Sequence, residues 1–526
     1  MFARRIERLC RKNPKDTAFQ FLSLVQKTIE NDAEFQRAMA GEQLVPAESQ
    51  RLWVRFFNLS VGQMLGRITA SALNDPAGVN LFSLGQTLGA AGSVLATMGP
   101  FIGTFVNFGK ERQLAVKVMD QLNVRNRPAR RTHVGVFTDT LDEVNGVARS
   151  WRMQADIAQR TGKELTIVAC RSQNLAPCEL TNVQYFDPVA VQELPEYPQQ
   201  KLAIPPFLEM LNFAYEQNFT CIQSPAPGPV GLTGLAIARL LRIPFYSTYH
   251  THIPQYARYL SDDDTTMEDL AWKFVLWFYS QAETTFAPSR ETAELLIERG
   301  IRRDRIRLMH RGVDIERFHP NKAMFAPTLP DGFKFLYVGR VSREKNLPVL
   351  VSAFRRLARE YPGTQLVVAG DGPYLEQMKA DLADAPAFFT GVIEGDELTG
   401  TYAASDAFVF PSTTDTFGNV VLEAQASGIS VIVTDQGGPC ENLVPGQTGT
   451  IVAGQDAGEL YRAMKRLLDE PQKCRAMGAN ARKYAEGRSI ERAFELYWQY
   501  YEEELPGVPA GQISGQSDVA KVEWAL

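Results

Sequence analysis

The segment Phe410–Gly428, FPSTTDTFGNVVLEAQASG, places two acidic side chains eight positions apart around the start of a predicted helix. Asp415 lies in a loop after a strand-like run, and Glu423 lies about one turn into the helix. Unpaired N–H groups at a helix start attract anions, and a carboxylate can accept two hydrogen bonds from a vicinal diol. A nucleotide sugar offers a diphosphate beside such diols. The segment therefore predicts a nucleotide-sugar site, with similar weight to an ordinary capped helix that has one exposed Asp and one buried Glu.

A second candidate for phosphate binding is the segment Phe137–Ser150, FTDTLDEVNGVARS, which is typical of a strand, a loop and a helix start. Gly146 would let the backbone approach a diphosphate closely, because glycine has no side chain to obstruct it. One glycine does not specify such a loop by itself, so the prediction also depends on the position of the segment at the head of the α/β region.

Two histidines end another strand-like run, in the sequence Tyr249-His250-Thr251-His252, and Tyr256 follows. A shared metal ion is one interpretation. A spacing of two residues, however, directs the rings to opposite faces of an extended segment. A shared metal ion is therefore the less favoured interpretation, and a strand-end His that satisfies a hydrogen bond is the more common case.

Three consecutive acidic residues, Asp262–Asp264, contain the Asp-x-Asp pattern that can bind a divalent ion. They precede Thr265–Glu268, and acidic residues with Thr before an apolar run are typical of helix initiation. The sequence therefore predicts a helix start here and not a metal site. For the aromatic run Leu270–Tyr279 that follows, core packing is the first interpretation and an exposed face leading to a lipid acceptor is the second.

The candidate residues follow strand-like runs, which are separated by stretches long enough for crossover helices. The runs form two series: His133–Thr138, Leu165–Ala169, Cys221–Ser224 and Phe245–Tyr249 in the first, and Phe333–Val338, Gln365–Ala369, Ala387–Thr390, Ala407–Phe410 and Val431–Thr434 in the second. This pattern predicts an α/β chain with two Rossmann-like domains in tandem. They would face a cleft, with ligands at the carboxyl ends of the strands.

Residues 1–130 differ from this pattern and predict a helical region, because apolar residues recur at helical spacing. Within it, Leu88–Val106 is an uncharged run of 19 residues with four glycines, close to the ~20 residues that span a bilayer. A small-residue hairpin packed on its own domain is the favoured interpretation. The alternative is a re-entrant or interfacial hairpin whose flanking basic residues, Arg67, Lys110 and Arg112, meet anionic headgroups.

Charge divides the chain in the same way. Residues 1–131 carry 18 Lys and Arg against 10 Asp and Glu, a net charge of +8, whereas the remainder carries −13. A basic module can meet an anionic partner, and the acidic remainder argues against nucleic acid as a partner.

The 6 cysteines form no C-x-x-C pair, and the basic N-terminus lacks the apolar run of a secretory signal. We therefore expect a cytoplasmic protein without a disulfide framework or structural zinc.

Taken together, these segments resemble the retaining nucleotide-sugar glycosyltransferases of family 4 (group 1). Phe410–Gly428 is similar to the family's Glu-(seven residues)-Glu signature, with Asp415 where Glu is more frequent. Four further segments resemble family motifs in the right order: the end-of-strand turn Ala287–Ser289, the interdomain stretch His310–Pro320 (HRGVDIERFHP), the donor-diphosphate segment Gly339–Asn346 (GRVSREKN) and the turn Gly370–Pro373 (GDGP). The likeness covers roughly 370 residues, from about 131 to about 500, which makes a chance match improbable.

The resemblance implies a GT-B fold with an additional N-terminal helical region. The implied parts are a basic helical region of unassigned purpose over 1–130, an acceptor-side Rossmann-like domain over 131–318, a nucleotide-sugar-binding Rossmann-like domain over 319–486, a C-terminal helix over 487–505 that returns to the first Rossmann-like domain, and a loose tail over 506–526.

The resemblance also implies the site residues. Catalytic roles fall to His250, Arg340, Lys345 and Asp415. The donor would be bound by Gly146, Arg340, Lys345, Asp415, Phe417, Gly418, Asn419, Val420 and Glu423. The acceptor side would include Asp139, Asn145, His252 and Tyr256.

In the implied mechanism, Arg340 and Lys345 stabilise the leaving nucleoside diphosphate, so neither a metal nor another cofactor is expected. Glu423 would accept hydrogen bonds from the ribose hydroxyls. Asp415 would contact the transferred sugar, and His250 would hold that sugar or the donor phosphates. The sequence offers no obvious carboxylate nucleophile. The family's front-face mechanism with retention is therefore implied, in which the leaving phosphate takes the acceptor proton.

Within the family, the segments around Asp139, Asn145 and His250 are most similar to enzymes resembling sulfoquinovosyldiacylglycerol synthases and GDP-mannose-dependent α-mannosyltransferases. With the basic N-terminal region, this favours a glycolipid product. A hexose would pass from a UDP- or GDP-sugar to a lipid such as diacylglycerol, and residues 1–130 would touch an anionic membrane surface on the cytoplasmic side. An α-mannosyltransferase acting on a glycan is the main alternative, and a catalytically silent GT-B scaffold is the other.

Overall fold

The computed structural model describes most of the chain from Arg131 onward. The described residues are 131–143, 146–171, 180–194, 197–250, 252–254, 265–309 and 311–503, together with the helix α1 (Ala33–Met39) and the single positions Glu30, Leu52, Gly103, Leu114, Val118 and Gln121. Apart from α1 and those single positions, the predicted helical region over 1–130 and its run 88–106 lie outside the described residues. So do Asp262–Asp264 and the tail 506–526.

The first sheet has seven strands in the order β3-β2-β1-β6-β7-β8-β9. Its strands are β1 (His133–Phe137), β2 (Glu164–Cys170), β3 (Val183–Phe186), β6 (Cys221–Ser224), β7 (Phe245–Thr248), β8 (Thr284–Ala287) and β9 (Ile306–Leu308). Central β1 is parallel to both neighbours, since Val134 pairs with Leu165 on one side and with Cys221 on the other. A parallel centre of this kind requires crossover connections, which the helices supply.

The connections between these strands are mainly helices, with one antiparallel hairpin. The hairpin consists of β4 (Ala190–Leu194) and β5 (Tyr197–Ile204). The helices are α2 (Gly146–Thr161), α3 (Phe207–Glu216), α4 (Pro229–Leu241), α5 (Thr265–Ser280) and α6 (Arg290–Glu298). Trp151 of α2 and Met210 of α3 are fully buried, as are Phe137 and Phe219, whose rings meet edge to face. The start of α5 agrees with the predicted helix initiation.

The second sheet has six strands in the order β12-β11-β10-β13-β14-β15. They are β10 (Phe333–Val338), β11 (Thr364–Ala369), β12 (Ala387–Gly391), β13 (Ala407–Phe410), β14 (Ser430–Thr434) and β15 (Gly449–Val452), and all paired neighbours are parallel. Helices α7 (Leu347–Glu360), α8 (Leu375–Asp381), α9 (Gly395–Ala403), α10 (Asn419–Ala426), α11 (Ala457–Asp469), α12 (Pro471–Glu486) and α13 (Ile490–Glu503) follow the strands. The buried side chains of β13 and β14 belong to one core with those of α7 and α10.

The described chain divides into two compact units. The first runs to Thr248 and includes Ile253–Thr284, and the second comprises Tyr249–His252 and Thr285–Glu504. Within the second unit, Tyr497 of α13 packs its ring at 4.6 Å from that of Phe286 on β8. The prediction of two parallel, Rossmann-like sheets is confirmed. Over the described ranges, no helix combines the length and the apolar character that crossing a membrane requires.

Candidate active site

The loop that carries Asp415 joins the buried strand β13 to helix α10. Gly418 precedes the helix with a φ of +78°, and a Cβ atom there would lie 2.8 Å from a carbon of Pro439. Both the left-handed backbone and the close contact require glycine. Two hydrogen bonds also hold the backbone of this loop. The Gly438 amide donates to the Asp415 carbonyl at 2.9 Å, and the Asn442 side chain donates to the Phe417 carbonyl. The start of α10 is therefore fixed in place.

Lys345 lies on the segment that follows β10, and its side chain contacts this loop. That segment forms a short 3₁₀ turn over Arg343–Lys345, after which Asn346 adopts a left-handed conformation and donates from its side chain to the Pro411 carbonyl at 3.1 Å. The Lys345 Nζ atom lies 2.8 Å from Asp415 Oδ2. Only 16% of the Lys345 side chain and 24% of the Asp415 side chain are exposed. This is a partly desolvated ion pair between two predicted site residues that are far apart in sequence.

Arg340 belongs to the same segment, one residue after the turn that ends β10. Its side chain is exposed, and its carbonyl accepts a hydrogen bond from the buried Tyr337 hydroxyl at 2.8 Å. The next amide, that of Val341, donates to the carbonyl of Asp371 in the GDGP turn at 2.9 Å. The predicted diphosphate segment and the GDGP turn thus form adjoining loops.

Glu423 lies on α10, as the sequence predicts. It is only 6% exposed, and its Oε2 atom accepts a hydrogen bond from the Tyr402 hydroxyl of α9 at 3.0 Å. Asn419 and Val420, on the first turn of the same helix, are partly exposed, whereas Phe417 is buried. The helix therefore presents both a buried carboxylate and an accessible N-terminus, which is the combination that a polyol next to an anion would need.

His250 also belongs to the second unit and contacts the loop before α10. Its carbonyl accepts a hydrogen bond from Thr416 Oγ1 at 3.0 Å. The ring Nδ1 atom is hydrogen-bonded to Nη2 of Arg311, and Nη1 of Arg311 donates to Asn419 Oδ1 at 3.4 Å. Burial lowers the pKa of His250 well below its usual value, and the neighbouring Arg311 charge lowers it further. His250 is therefore a neutral imidazole at ordinary pH.

Arg311 is a residue of this site that the sequence does not single out. It stands in the segment His310–Pro320, which carries part of the family resemblance. A charged residue in a connecting segment is usually solvated, so its type alone gave no reason to place it beside His250. Its place in that family-like segment was the available signal.

In the first unit, the described residues among the predicted site residues are Asp139 and Gly146. The Asp139 carboxylate accepts backbone hydrogen bonds from Val230 at 2.8 Å and from Gly231 at 3.2 Å, at the N-terminus of α4. Burial raises the pKa of Asp139 to about 6. Gly146 is the first residue of α2. The Asp139 side chain therefore caps the N-terminus of α4.

The remaining predicted residues are less well defined. His252 is half-buried, and its ring lies edge to face at 6.2 Å from that of Tyr249. Asn145 and Tyr256 lie outside the residues that the structure describes. Within the described ranges, no group of three or more His, Cys, Asp or Glu side chains is arranged to hold a metal ion.

Family models match both parts of the α/β region. Residues 144–317 match the model described as Glycosyltransferase Family 4, and residues 322–484 match the model described as Glycosyl transferases group 1. Among solved structures, HepE of Anabaena in complex with UDP superposes with a TM-score of 0.56 at 18% identity, covering 71% of this chain and 100% of that one. At that identity the similarity concerns the fold.

Three relatives of known activity are similar in sequence. Sulfoquinovosyl transferase SQD2 of Arabidopsis thaliana is 32% identical over 277 residues, which cover 50% of this chain and about half of SQD2 (53%). A GDP-mannose-dependent alpha-mannosyltransferase of Mycobacterium tuberculosis is 32% identical over 343 residues, covering 63% of this chain and 87% of the relative. The alpha-monoglucosyldiacylglycerol synthase of Streptococcus pneumoniae is 28% identical, covering 57% of this chain and 70% of that enzyme.

Proposed function

Because the chain belongs to the group 1 glycosyltransferases of family 4, we propose that it transfers a hexose from a UDP- or GDP-sugar to a hydroxyl group of a lipid such as diacylglycerol. The proposal includes retention at the anomeric carbon and independence from a metal cofactor. The observation that carries it is the Lys345–Asp415 ion pair at the loop that leads into α10.

The first chemical requirement is to stabilise the leaving group. As the bond between the anomeric carbon and the diphosphate breaks, negative charge accumulates on the phosphate oxygens. Lys345 and Arg340 lie on one loop after β10 and would supply two cations, and the N–H groups at the start of α10 would add partial positive charge. Positive charge that is already in position needs no reorganisation during the reaction, so the protein itself would perform the task that a divalent ion performs elsewhere.

The second requirement is to hold the sugar and the nucleoside. The buried Glu423 carboxylate, oriented by Tyr402, would accept hydrogen bonds from the ribose hydroxyls. Asp415 would contact the transferred sugar, and its pairing with Lys345 would keep it in one position. A carboxylate held in this way can orient a hydroxyl group at little entropic cost.

Retention follows in this proposal from attack on the face that the leaving group occupies. The acceptor oxygen forms its bond to the anomeric carbon as the bond to the diphosphate breaks. The proton of the acceptor hydroxyl passes to an oxygen of the leaving diphosphate. No protein nucleophile and no separate general base is then required.

A lipid acceptor is supported by a relative and by one surface. The name of the Streptococcus pneumoniae relative includes a diacylglycerol product. In the first unit, an apolar stripe on α5 is exposed: Met267 at 45%, Leu270 at 59%, Phe274 at 40% and Trp277 at 49%. The rings of Phe274 and Trp277 stack at 6.1 Å. Trp and Phe on one exposed helix face are typical of contact with a membrane interface, which fits a peripheral enzyme on the cytoplasmic side.

The experiment has two stages. A thermal-shift screen with UDP, GDP and ADP, and then with their sugars, identifies the donor, since a ligand that binds only the folded chain raises its melting temperature. Transfer of the labelled sugar is then measured with diacylglycerol in vesicles and with a soluble glycan. The double variant Phe274→Ser and Trp277→Ser should lose vesicle binding. Val392→Ser, which changes a residue that is 64% exposed in the second unit, is the matched control.

The second candidate function is a GDP-mannose-dependent α-mannosyltransferase that acts on a glycan. It is favoured by the mycobacterial relative, 87% of whose length is covered. A melting-temperature increase with GDP but not UDP, together with mannose transfer to the glycan and not to the lipid, would replace the lipid proposal with this one. Failure of every donor to bind or react would contradict both.

A further inference from the structure

Arg311 brings a guanidinium into a partly buried position among three residues of the candidate site. Nη2 is hydrogen-bonded to His250 Nδ1, and Nη1 donates to Asn419 Oδ1 at 3.4 Å. The centre of the guanidinium lies 5.1 Å from the centroid of the Phe417 ring. Its Nε atom is enclosed and has no hydrogen-bond partner in the described structure. These contacts link His250 to the start of α10 within the second unit.

The hydrogen bond between Arg311 and His250 can have only one direction. A guanidinium has N–H donors and no acceptor, so Nδ1 of the imidazole must accept the hydrogen bond. An accepting Nδ1 carries no proton. The single proton of the neutral ring is then on Nε2, which becomes a hydrogen-bond donor.

Burial and the neighbouring charges determine the protonation states of both side chains. Burial and the Arg311 charge both lower the pKa of His250, which disfavours an imidazolium beside a guanidinium. Burial also lowers the pKa of Arg311, to about 10, so it stays protonated at neutral pH. On the side of α13, Tyr497 faces the guanidinium and raises that pKa. From the loop before α10, the contact with His250 is the neutral Thr416 hydroxyl on its carbonyl.

We propose that Arg311 is a positioning residue that fixes His250 as the neutral tautomer with its proton on Nε2. His250 would then act on the donor sugar or its diphosphate as a hydrogen-bond donor, and it could not act as a base through Nδ1. The proposal rests on the proposed glycosyl transfer and assigns the state in which His250 takes part. It also connects this state to Asn419 at the N-terminus of α10.

The kinetic test uses Arg311→Met, which removes the charge and the donor but keeps an apolar side chain. At about pH 8 the transfer rate should fall roughly tenfold, because the ring proton is no longer confined to Nε2. Activity should partly return only below pH 6.5, because burial still lowers the pKa of His250 in the variant and an imidazolium carries a proton on both nitrogens. The wild-type enzyme should show no such recovery. Arg311→Lys, which still donates to Nδ1, should retain most of the rate at about pH 8.

The matched control is Arg317→Met. Arg317 belongs to the same segment, is exposed, and stacks on Phe318 at 5.7 Å, so it tests the loss of an arginine on a phenylalanine ring away from His250. The transfer rate of the Arg317→Met variant should stay at the wild-type value across the pH range. An Arg311→Met variant whose rate falls by the same factor at every pH, with no rescue by lysine, would overturn the proposal.

A spectroscopic test separates this proposal from the proposed function. Nitrogen-15 NMR of histidine-labelled full-length protein reports which ring nitrogen of His250 carries the proton, and His250→Gln assigns the signal. We expect a protonated Nε2 and an unprotonated Nδ1 in the wild-type protein, and a mixture in Arg311→Met. A proton on Nδ1 in the wild-type protein would refute the tautomer proposal whether or not the chain transfers sugar. The expected tautomer in a protein that is inactive with every donor would refute only the proposed function.

Discussion

The tripeptide Thr-Asp-Thr occurs twice in the described chain, and its two aspartates have different partners. Asp139 follows β1 in the first unit, and its carboxylate accepts hydrogen bonds from two backbone amides at the start of α4. Asp415 follows β13 in the second unit, and its carboxylate pairs with the Lys345 ammonium at 2.8 Å. Both are partly buried. Identical local sequence therefore does not decide whether an aspartate caps a helix or pairs with a cation.

The difference arises from residues that are distant in sequence. Helix α4 begins after Gly228, which has no side chain to cap it, and a Cβ atom at Gly228 would lie 2.3 Å from Asp139 Oδ2. The glycine therefore makes room for a carboxylate supplied from β1. In the second unit, no side chain caps the start of α10 in the described structure. The Asp415 carboxylate pairs there with Lys345, which lies on the loop after β10. The Asp139 carboxylate accepts hydrogen bonds from two backbone amides, whereas the Asp415 carboxylate pairs with a cation beside an accessible helix start, where a ligand could also contact it.

The largest effect is expected from Lys345→Met, which removes the feature that distinguishes the two aspartates. If Lys345 stabilises the leaving diphosphate, kcat should fall by roughly 10²–10³-fold. The rate is measured by release of the nucleoside diphosphate from the donor that the thermal-shift screen identifies. A loss of less than threefold would remove Lys345 from the catalytic residues.

The control for Lys345→Met is Arg355→Met. Arg355 belongs to the same unit and also forms an ion pair, with Asp384 at 2.8 Å, but its partner lies after α8 and not in the loop before α10. Its loss should leave the transfer rate unchanged. An equal loss in both variants would mean that the rate responds to the stability of the unit and not to the cation at the site.

The second prediction concerns the pH dependence of stability and uses Asp139→Asn. Burial raises the pKa of Asp139 from 3.8 to about 6, so between these values the folded state binds more protons than the unfolded state. The contribution of this group to the free energy of unfolding is therefore present below about pH 4 and decreases by about 3 kcal/mol as the pH rises through 6. The variant should lack this decrease. Urea unfolding of both proteins at about pH 4.5 and pH 7 measures it, and parallel pH profiles would contradict it.

The fold could largely be predicted from the sequence because the central strands are buried on both faces. Ala407–Phe410 is a continuous apolar run, Phe333–Val338 is apolar or aromatic apart from Lys334, and Cys221–Ser224 begins with two apolar residues; each of them forms a strand with the predicted bounds. The strands that the sequence did not indicate are short or polar. β3 has four residues that are all half-buried, β9 has three, and the hairpin strand β5 contains proline and three consecutive polar residues. Edge strands have fewer contacts to select apolar residues, so their patterns are weak.

The candidate site could be predicted in part. A loop residue that precedes a helix, such as Asp415, and an acidic residue early in that helix, such as Glu423, form a recognisable local pattern, and the structure places Asp415 before α10 and Glu423 on it. Their roles in binding a nucleotide sugar stay predictions. Arg311 could not be predicted, because its position beside His250 depends on contacts between segments 61 residues apart. The capping of α4 by Asp139 depends in the same way on a separation of 91 residues.

The smallest effect on stability is expected from Asp415→Asn, which applies to the second aspartate the same change as Asp139→Asn. The Lys345–Asp415 pair is still partly exposed to water, and such pairs contribute at most about 1 kcal/mol to folding. The free energy of unfolding should therefore change by less than about 1 kcal/mol, and the variant should keep the pH dependence that Asp139 gives the wild-type protein. Activity should nevertheless fall, because the neutral amide cannot form an ion pair with Lys345 and offers a sugar diol one acceptor oxygen where the carboxylate offers two. A stability loss well above about 1 kcal/mol, with activity retained, would mean that Asp415 is structural and that the contrast between the two tripeptides is wrong.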